Sequence, residues 1–267
     1  MVAAVVAAAG LVGALVVAPF LSDAVVRWMG WRVTLPLLFG HVPPRRVLGR
    51  ARLQCRNCGA PLAPLGLPAL PWLLSAGRCR SCREPLARWP LAVELATGGL
   101  FAIAAWQLDR WALLLPVLVF FAGLVAVSTV DLLCSRIPTR FVYLTGLGAA
   151  MAAVPRVVDV PDTLTGAAVG GALCLASLGA MHLAAPHMLG FGDVRLGTLI
   201  GLVVGWVGWT SAEPVLDPLS RVVQALFLAG VIGSLVGFVL LAVRRSNSTY
   251  PFGPCLALGG VLAIFLS

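Results

Sequence analysis

Apolar runs near twenty residues recur along this chain, and no other feature constrains its fold as strongly. About 20 apolar residues in a helix, rising about 1.5 Å each, cover a bilayer hydrocarbon core of roughly 30 Å. A helix also satisfies every backbone N–H and C=O within its own segment, which hydrocarbon demands. Eight such segments are expected, at about Val2–Leu21, Leu91–Leu108, Trp111–Val130, Phe141–Val154, Thr163–Ala185, Leu196–Thr210, Arg221–Val243 and Pro251–Leu266. The 267 residues are 60% hydrophobic and 11% charged, far below the roughly 25% charge of soluble domains. The expected fold class is an all-α polytopic membrane protein of about eight transmembrane helices embedded in a lipid bilayer. Residues 1–22 form the first helix, 23–90 an extramembrane loop, and 91–267 the rest of the bundle.

The first segment has no basic flank before it and its positive residues follow it, which suits an N-out anchor better than a secretory signal. All 19 basic residues are arginine, and eleven of them lie between Arg27 and Arg88, where Glu84 is the only acid. A block of this kind resembles a nucleic-acid footprint. Beside a membrane helix it instead marks a cytoplasmic loop, and no nucleic-acid partner is expected. With the N-terminus outside, 16 arginines fall on the cytoplasmic side and three, Arg110, Arg156 and Arg221, on the other. That bias supports one orientation.

The same orientation brings two acids to the cytoplasmic face. Asp131 precedes Ile137-Pro138 by six residues, and Asp193 closes Gly190-Phe191-Gly192-Asp193. Ionisable groups beside membrane segments are functional candidates, because the bilayer expels carboxylates that are not paired, solvated or used. Two carboxylates brought together cannot both ionise cheaply, so the pair holds one proton. One member then serves as general base toward a water while its protonated partner polarises a carbonyl. Gly190 and Gly192 would let backbone approach a substrate strand and set Asp193 at a helix start. The plainer alternatives are that Asp193 caps a helix beginning near Val194 and that Asp131 pairs with Arg136 or Arg140. Glycines 166, 170, 171, 230, 233 and 237 suit close helix packing, and His41, His182 and His187 show no ligand or triad pattern. A proton-coupled transporter, or an assembly factor with a zinc docking module, is the rival reading. Against it, both acids sit at span ends, and no inverted repeat is evident.

The loop carries a second chemical signal. Cys55-Arg56-Asn57-Cys58 and Cys79-Arg80-Ser81-Cys82 are two CxxC pairs with 20 residues between them. Four thiolates in that pattern suit a tetrahedral structural zinc site. Gly59 after one pair and Gly77 before the other suit the turns around a metal. A disulfide pair or a redox CxxC are the alternatives; a cytoplasmic loop disfavours the first, and no thioredoxin-like βαβ pattern supports the second. Cys134, Cys174 and Cys255 are expected to be packing residues.

Five stretches in order resemble the type IV prepilin leader peptidases, a family of polytopic membrane aspartic peptidases. They are the linker from Leu67 to Leu74 running into Gly77–Cys82, then Trp89-Pro90-Leu91-Ala92-Val93-Glu94-Leu95-Ala96-Thr97-Gly98, then Asp131-Leu132 with Ile137-Pro138 downstream. Gly190–Leu196 is similar to the family's GxGDVKL motif, and Tyr250–Gly259 to its last-helix PFGPFLALG. The resemblance implies that Asp131 and Asp193 are catalytic, with Glu94, Gly190, Gly192 and Pro138 supporting them or positioning substrate. It implies substrates with a basic leader before an apolar helix, namely prepilins or pseudopilins. Many relatives also methylate the new N-terminus with S-adenosylmethionine. Here the first-helix exit, Pro19–Arg27, departs from the family's GSFLNVVIYRLP, with Ser22 and Asp23 in place of asparagine and valine. That departure bears on methylation more than on proteolysis.

Overall fold

The computed structural model describes residues 2–22, 24–25, 58, 75, 77–85, 88–108, 110–244 and 251–266. These residues are helical apart from short connections, and the extended pairing among them is a single bridge between Arg78 and Pro85. The chain divides into two compact units, Met1–Ile103 and Ala104–Ser267.

In the first unit, helix α1 (Val2–Val12) continues through a π-helical turn, Gly13–Val17. Helix α2 (Trp89–Gln107) begins with Pro90 in its first turn, where the missing N–H costs nothing and the fixed φ suits the helix. Glycines bring α1 and α2 together: a Cβ at Gly13 would lie 2.8 Å from the Phe101 ring, and one at Gly98 would lie 2.9 Å from the Ala14 methyl. Thr97 is buried and donates its hydroxyl to the Val93 carbonyl at 2.7 Å, so its polarity is satisfied within the helix.

The second unit holds α3 (Trp111–Cys134), α4 (Thr139–Asp159), α5 (Thr163–Ala184), α6 (Phe191–Val207), α7 (Leu216–Arg244) and α8 (Gly253–Phe265). Helix α8 is the shortest and packs against α3, α6 and α7. Phe120 and Phe121 of α3 are fully buried, and the Phe121 ring meets Phe265 of α8 edge-on at 5.4 Å. Six helical stretches among the described residues are long and apolar enough to cross a membrane: Ala4–Ser22, Trp89–Gln107, Trp111–Cys134, Thr139–Asp159, Thr163–Ala184 and Leu216–Ala242. Helices α6 and α8, with 17 and 13 residues, are shorter. Phe227, Leu235 and Phe238 of α7 point outward, the placement expected of side chains facing lipid rather than water.

Two expected boundaries moved in ways that matter. Helix α3 runs on to Cys134, so Asp131 lies inside its last turn. Helix α6 begins at Phe191 instead of near Val194 or Leu196, which places Asp193 within its first turn. The glycine expectation divides by face. A Cβ at Gly170 would stand 2.2 Å from the Gly201 carbonyl oxygen, and one at Gly166 would stand 2.4 Å from that of Gly205, so α5 and α6 meet backbone to backbone. Gly230 has nothing within 4 Å and packs no helix.

Substitution reads this difference directly. Gly201→Ala would set a methyl 2.3 Å from the Gly170 carbonyl and 2.7 Å from Cys174 Sγ. Separating the two backbones should cost about 1–3 kcal/mol, seen as a lower thermal midpoint in detergent. Gly230→Ala should change stability by no more than about 0.5 kcal/mol, leaving the midpoint near the parent's.

Candidate active site

The end of α3 is built around one acid. Ser135 takes a left-handed conformation, φ 49° and ψ 43°, and its N–H donates to the Asp131 carbonyl at 2.7 Å, closing the helix one turn after Asp131. The chain then passes through Arg136 and Ile137 to Pro138, which is buried and whose carbonyl accepts the N–H groups of Phe141 and Val142, starting α4. The Asp131 carboxylate is 4% exposed. Its partner is neither Arg136 nor Arg140: Oδ2 accepts the backbone N–H of Gly253 at 3.0 Å. Gly253 is the first residue of α8, with Pro254 next, so an N–H that has no partner within its own helix is aimed at Asp131. The positive end of the α8 dipole favours the carboxylate there.

Asp193 lies in the first turn of its own helix, so its carboxylate meets the start of α6 as that of Asp131 meets the start of α8. Gly190 is extended, φ −69° and ψ 147°, and its N–H donates to Asp193 Oδ2 at 3.1 Å. This bond closes the first turn of α6 and explains why the helix starts at Phe191. The capping alternative therefore describes part of what Asp193 does. Helices α3 and α6, which carry the two acids, touch one another, and both pack against α8. Each carboxylate thus sits at a helix N-terminus and accepts a glycine N–H.

Ile137 packs between the acid-bearing segments. Its Cβ lies 2.9 Å from where a Gly192 side chain would begin, and its Cδ1 lies 3.4 Å from the same point on Gly253. Gly192 therefore makes room for Ile137, a use the sequence did not suggest. Gly190 leaves space for a carboxylate, since a Cβ there would lie 3.1 Å from Asp193 Oδ2. The start of α6 is further tied to α4 by Arg195, whose Nη1 donates to Thr139 Oγ1 at 2.8 Å while its guanidinium lies 4.5 Å from the Phe191 ring centre. His182 Nδ1 is 2.7 Å from the Leu189 carbonyl oxygen, a bond that joins the end of α5 to the turn before α6. Gly253 is the site residue that sequence reasoning passed over. The signal available was its place just before a proline at the start of the last apolar segment.

The remaining candidates lie in the first unit. Glu94 is on α2 and 2% exposed. Cys58, Cys79 and Cys82 bring their sulfurs within 4.8 Å of one another; Cys55, like Gly59 and His41, lies outside the described residues. Cys58 Sγ and Cys79 Sγ are 3.7 Å apart. A disulfide needs about 2.05 Å, whereas two thiolates on a tetrahedral zinc, each at about 2.3 Å, stand about 3.8 Å apart. Around them, Cys79 N–H donates to the Glu84 carbonyl at 2.8 Å, Arg83 N–H donates to the Cys79 carbonyl at 2.9 Å, and Gly77 supplies a φ of 72°. That left-handed turn is the one Gly77 was expected to provide.

Residues 12–108 match the family described as Bacterial Peptidase A24 N-terminal domain, and residues 118–241 match the Type IV leader peptidase family. A type 4 prepilin-like proteins leader peptide-processing enzyme of Escherichia coli O78:H11 (strain H10407 / ETEC) is 34% identical over 96% of this chain and 92% of its own length. A prepilin leader peptidase/N-methyltransferase of Aeromonas hydrophila is 32% identical over 80% of this chain and 71% of its own. One from Bacillus subtilis (strain 168) is 29% identical, with 86% and 84% covered. No solved structure matches the chain.

Proposed function

The chain belongs to the type IV leader peptidase family, and we propose that Asp131 and Asp193 are the dyad with which it removes the basic leader of type IV prepilins or related pseudopilins. The observation that carries this reading is the placing of two carboxylates, each fastened to a glycine N–H at a helix start, around one residue, Ile137, which packs against both Gly192 and Gly253. The pair shares one proton. Its ionised member takes a proton from water, which attacks the scissile carbonyl, while the protonated member hydrogen-bonds the carbonyl oxygen. Exchange of roles then delivers a proton to the leaving amine. Pro138 and Ile137 hold the segment between the acids, and Gly190 and Gly192 give the carboxylate and Ile137 their space.

The site would face the cytoplasm in an inner membrane of a prokaryote, with the N-terminus outside and α6 and α8 completing eight crossings. The arginine bias supports that orientation. In this scheme residues 23–90 are a cytoplasmic module between the first and second helices, and 91–267 the peptidase bundle. The three neighbouring thiols suit zinc, with Cys55 as the fourth ligand. The metal would cross-link the module, and hydrolysis by the aspartates needs nothing from it. The rival transporter finds no support among relatives named for leader processing.

Methyl transfer is a separate matter. Ser22 is buried and its hydroxyl has no partner among the described residues, but one hydroxyl does not hold a nucleoside and a sulfonium. The residues described at the first-helix exit therefore do not by themselves make a site for S-adenosylmethionine. Incubating the purified protein in lipid with a prepilin and labelled S-adenosylmethionine, then determining the product's N-terminus by mass spectrometry, reads cleavage, cleavage position and methylation together. A product cut at the leader junction supports the peptidase reading, and an intact leader with a folded protein overturns it.

Two substitutions refine the roles. Gly253→Ala would bring a methyl 2.7 Å from Asp131 Oδ2, and displacing that carboxylate should lower cleavage about 10- to 100-fold with protein abundance unchanged. Glu94→Gln is expected to slow cleavage less than either aspartate change, as suits a supporting or substrate-positioning group. A loss equal to that of the aspartate variants would move Glu94 into the chemistry.

A further inference from the structure

The end of the second unit away from the aspartates carries buried donors for which the catalytic reading has no use. Arg156 lies in the last turn of α4, 17 residues after Thr139. That separation is about 26 Å along the helix, so Arg156 reaches the opposite membrane boundary, one turn inside the helix end. Its guanidinium carbon lies 5.3 Å from the centre of the Trp206 ring. Its Nε is buried without a hydrogen-bond acceptor among the described residues, as are the indole N–H groups of Trp206 and Trp209. Arg110, just before α3, lies at the same end of the unit. The Arg221 side chain packs at the end of α6, its Cγ 3.0 Å from where a Gly208 side chain would begin.

Ordinary explanations cover part of this arrangement. A helix C-terminus favours a cation, and tryptophans gather at membrane interfaces. An interfacial belt tryptophan lays its ring against lipid, however, whereas Trp206 is only 5% exposed. The described acids at this end have other surroundings: Asp217 accepts the Thr210 hydroxyl, and Asp159, Asp162 and Glu213 are exposed. Arg156 Nε and the two indole N–H groups at the end of α6 are therefore buried without an acceptor among the described residues, with Arg221 beside Gly208 at the same helix end. Buried donors left unpaired are costly, and an anion relieves several at once.

We propose that Arg156, Trp206 and Trp209 hold the phosphate of an anionic phospholipid headgroup in the leaflet opposite the aspartates. The depth is that of the headgroup boundary, where such phosphates are always present. Arg110 and Arg221 select a headgroup with net negative charge over a zwitterionic one, because a choline beside them would be repelled.

The test titrates the purified full chain in neutral detergent with phosphatidylglycerol, phosphatidylcholine and inorganic phosphate, counting bound molecules by native mass spectrometry. Phosphatidylglycerol should bind about tenfold more tightly than phosphatidylcholine. Arg156→Gln should erase that preference, and Trp206→Phe, which keeps the ring and removes only the N–H, should weaken it. Leader cleavage by both variants in phosphatidylcholine vesicles should match the parent. Equal binding of the two lipids by the parent overturns the proposal, as does full preference in a folded Trp206→Phe protein when Arg156→Gln does not fold. Saturation by millimolar phosphate with no lipid preference would assign the cluster to the free anion and overturn the lipid assignment.

Discussion

Asp131→Asn and Asp193→Asn are each expected to lower leader cleavage about 10³-fold or more, since general acid–base catalysis contributes roughly 10²–10⁴ and neither carboxylate can fill both roles. Asparagine keeps the shape of aspartate and its carbonyl oxygen, so the bonds from Gly253 to residue 131 and from Gly190 to residue 193 survive in kind. Helix packing should be preserved, and protein abundance in the membrane should equal the parent's. The measurement is the ratio of processed to unprocessed prepilin at equal enzyme. Near-normal turnover by either variant would end the dyad assignment. Normal abundance with no processing in both would separate a chemical loss from a folding loss.

Replacing Cys55 and Cys79 together by serine is expected to take metal content from about one zinc per chain to nearly none. A structural zinc contributes its binding free energy, about 10–16 kcal/mol in small peptides, to the fold of the segment it closes. Loss of the site should therefore open residues 23–90 to limited proteolysis. Leader cleavage should persist at least in part, because hydrolysis by the aspartates uses no metal. Elemental analysis of parent and variant checks the first expectation, and a protease time course the second. Unchanged zinc in the double variant would rule out the four-thiolate site. Single substitution of Cys82, whose sulfur lies with those of Cys58 and Cys79, should give the same direction.

Much of the candidate site was legible before any coordinates. Asp131 and Asp193 stood out because carboxylates are rare beside apolar runs, and their motifs in order with three others resembled one family, to which the matches over residues 12–108 and 118–241 assign the chain. The CxxC pairs were legible because a short spacing forces two thiols together, and three of the four are gathered in the structure. Gly253 was not legible as a partner of Asp131, since 122 residues separate them. Gly170 and Gly230 looked alike in sequence, yet one meets a neighbouring backbone and the other open space. Near-uniform apolarity hides which face of a membrane helix meets protein and which meets lipid.

The division between the two sources of information has a physical cause. Hydropathy adds up along a segment and backbone bonds close within a helix, so the sequence alone determined that the chain is helical, where its long apolar segments lie and which acids are anomalous. A free N–H at a helix start is equally local, but the acceptor it meets depends on which helices lie beside it. Only the tertiary packing of α3, α6 and α8 decided that Gly253 binds Asp131 and that Ile137 fills the space left by Gly192.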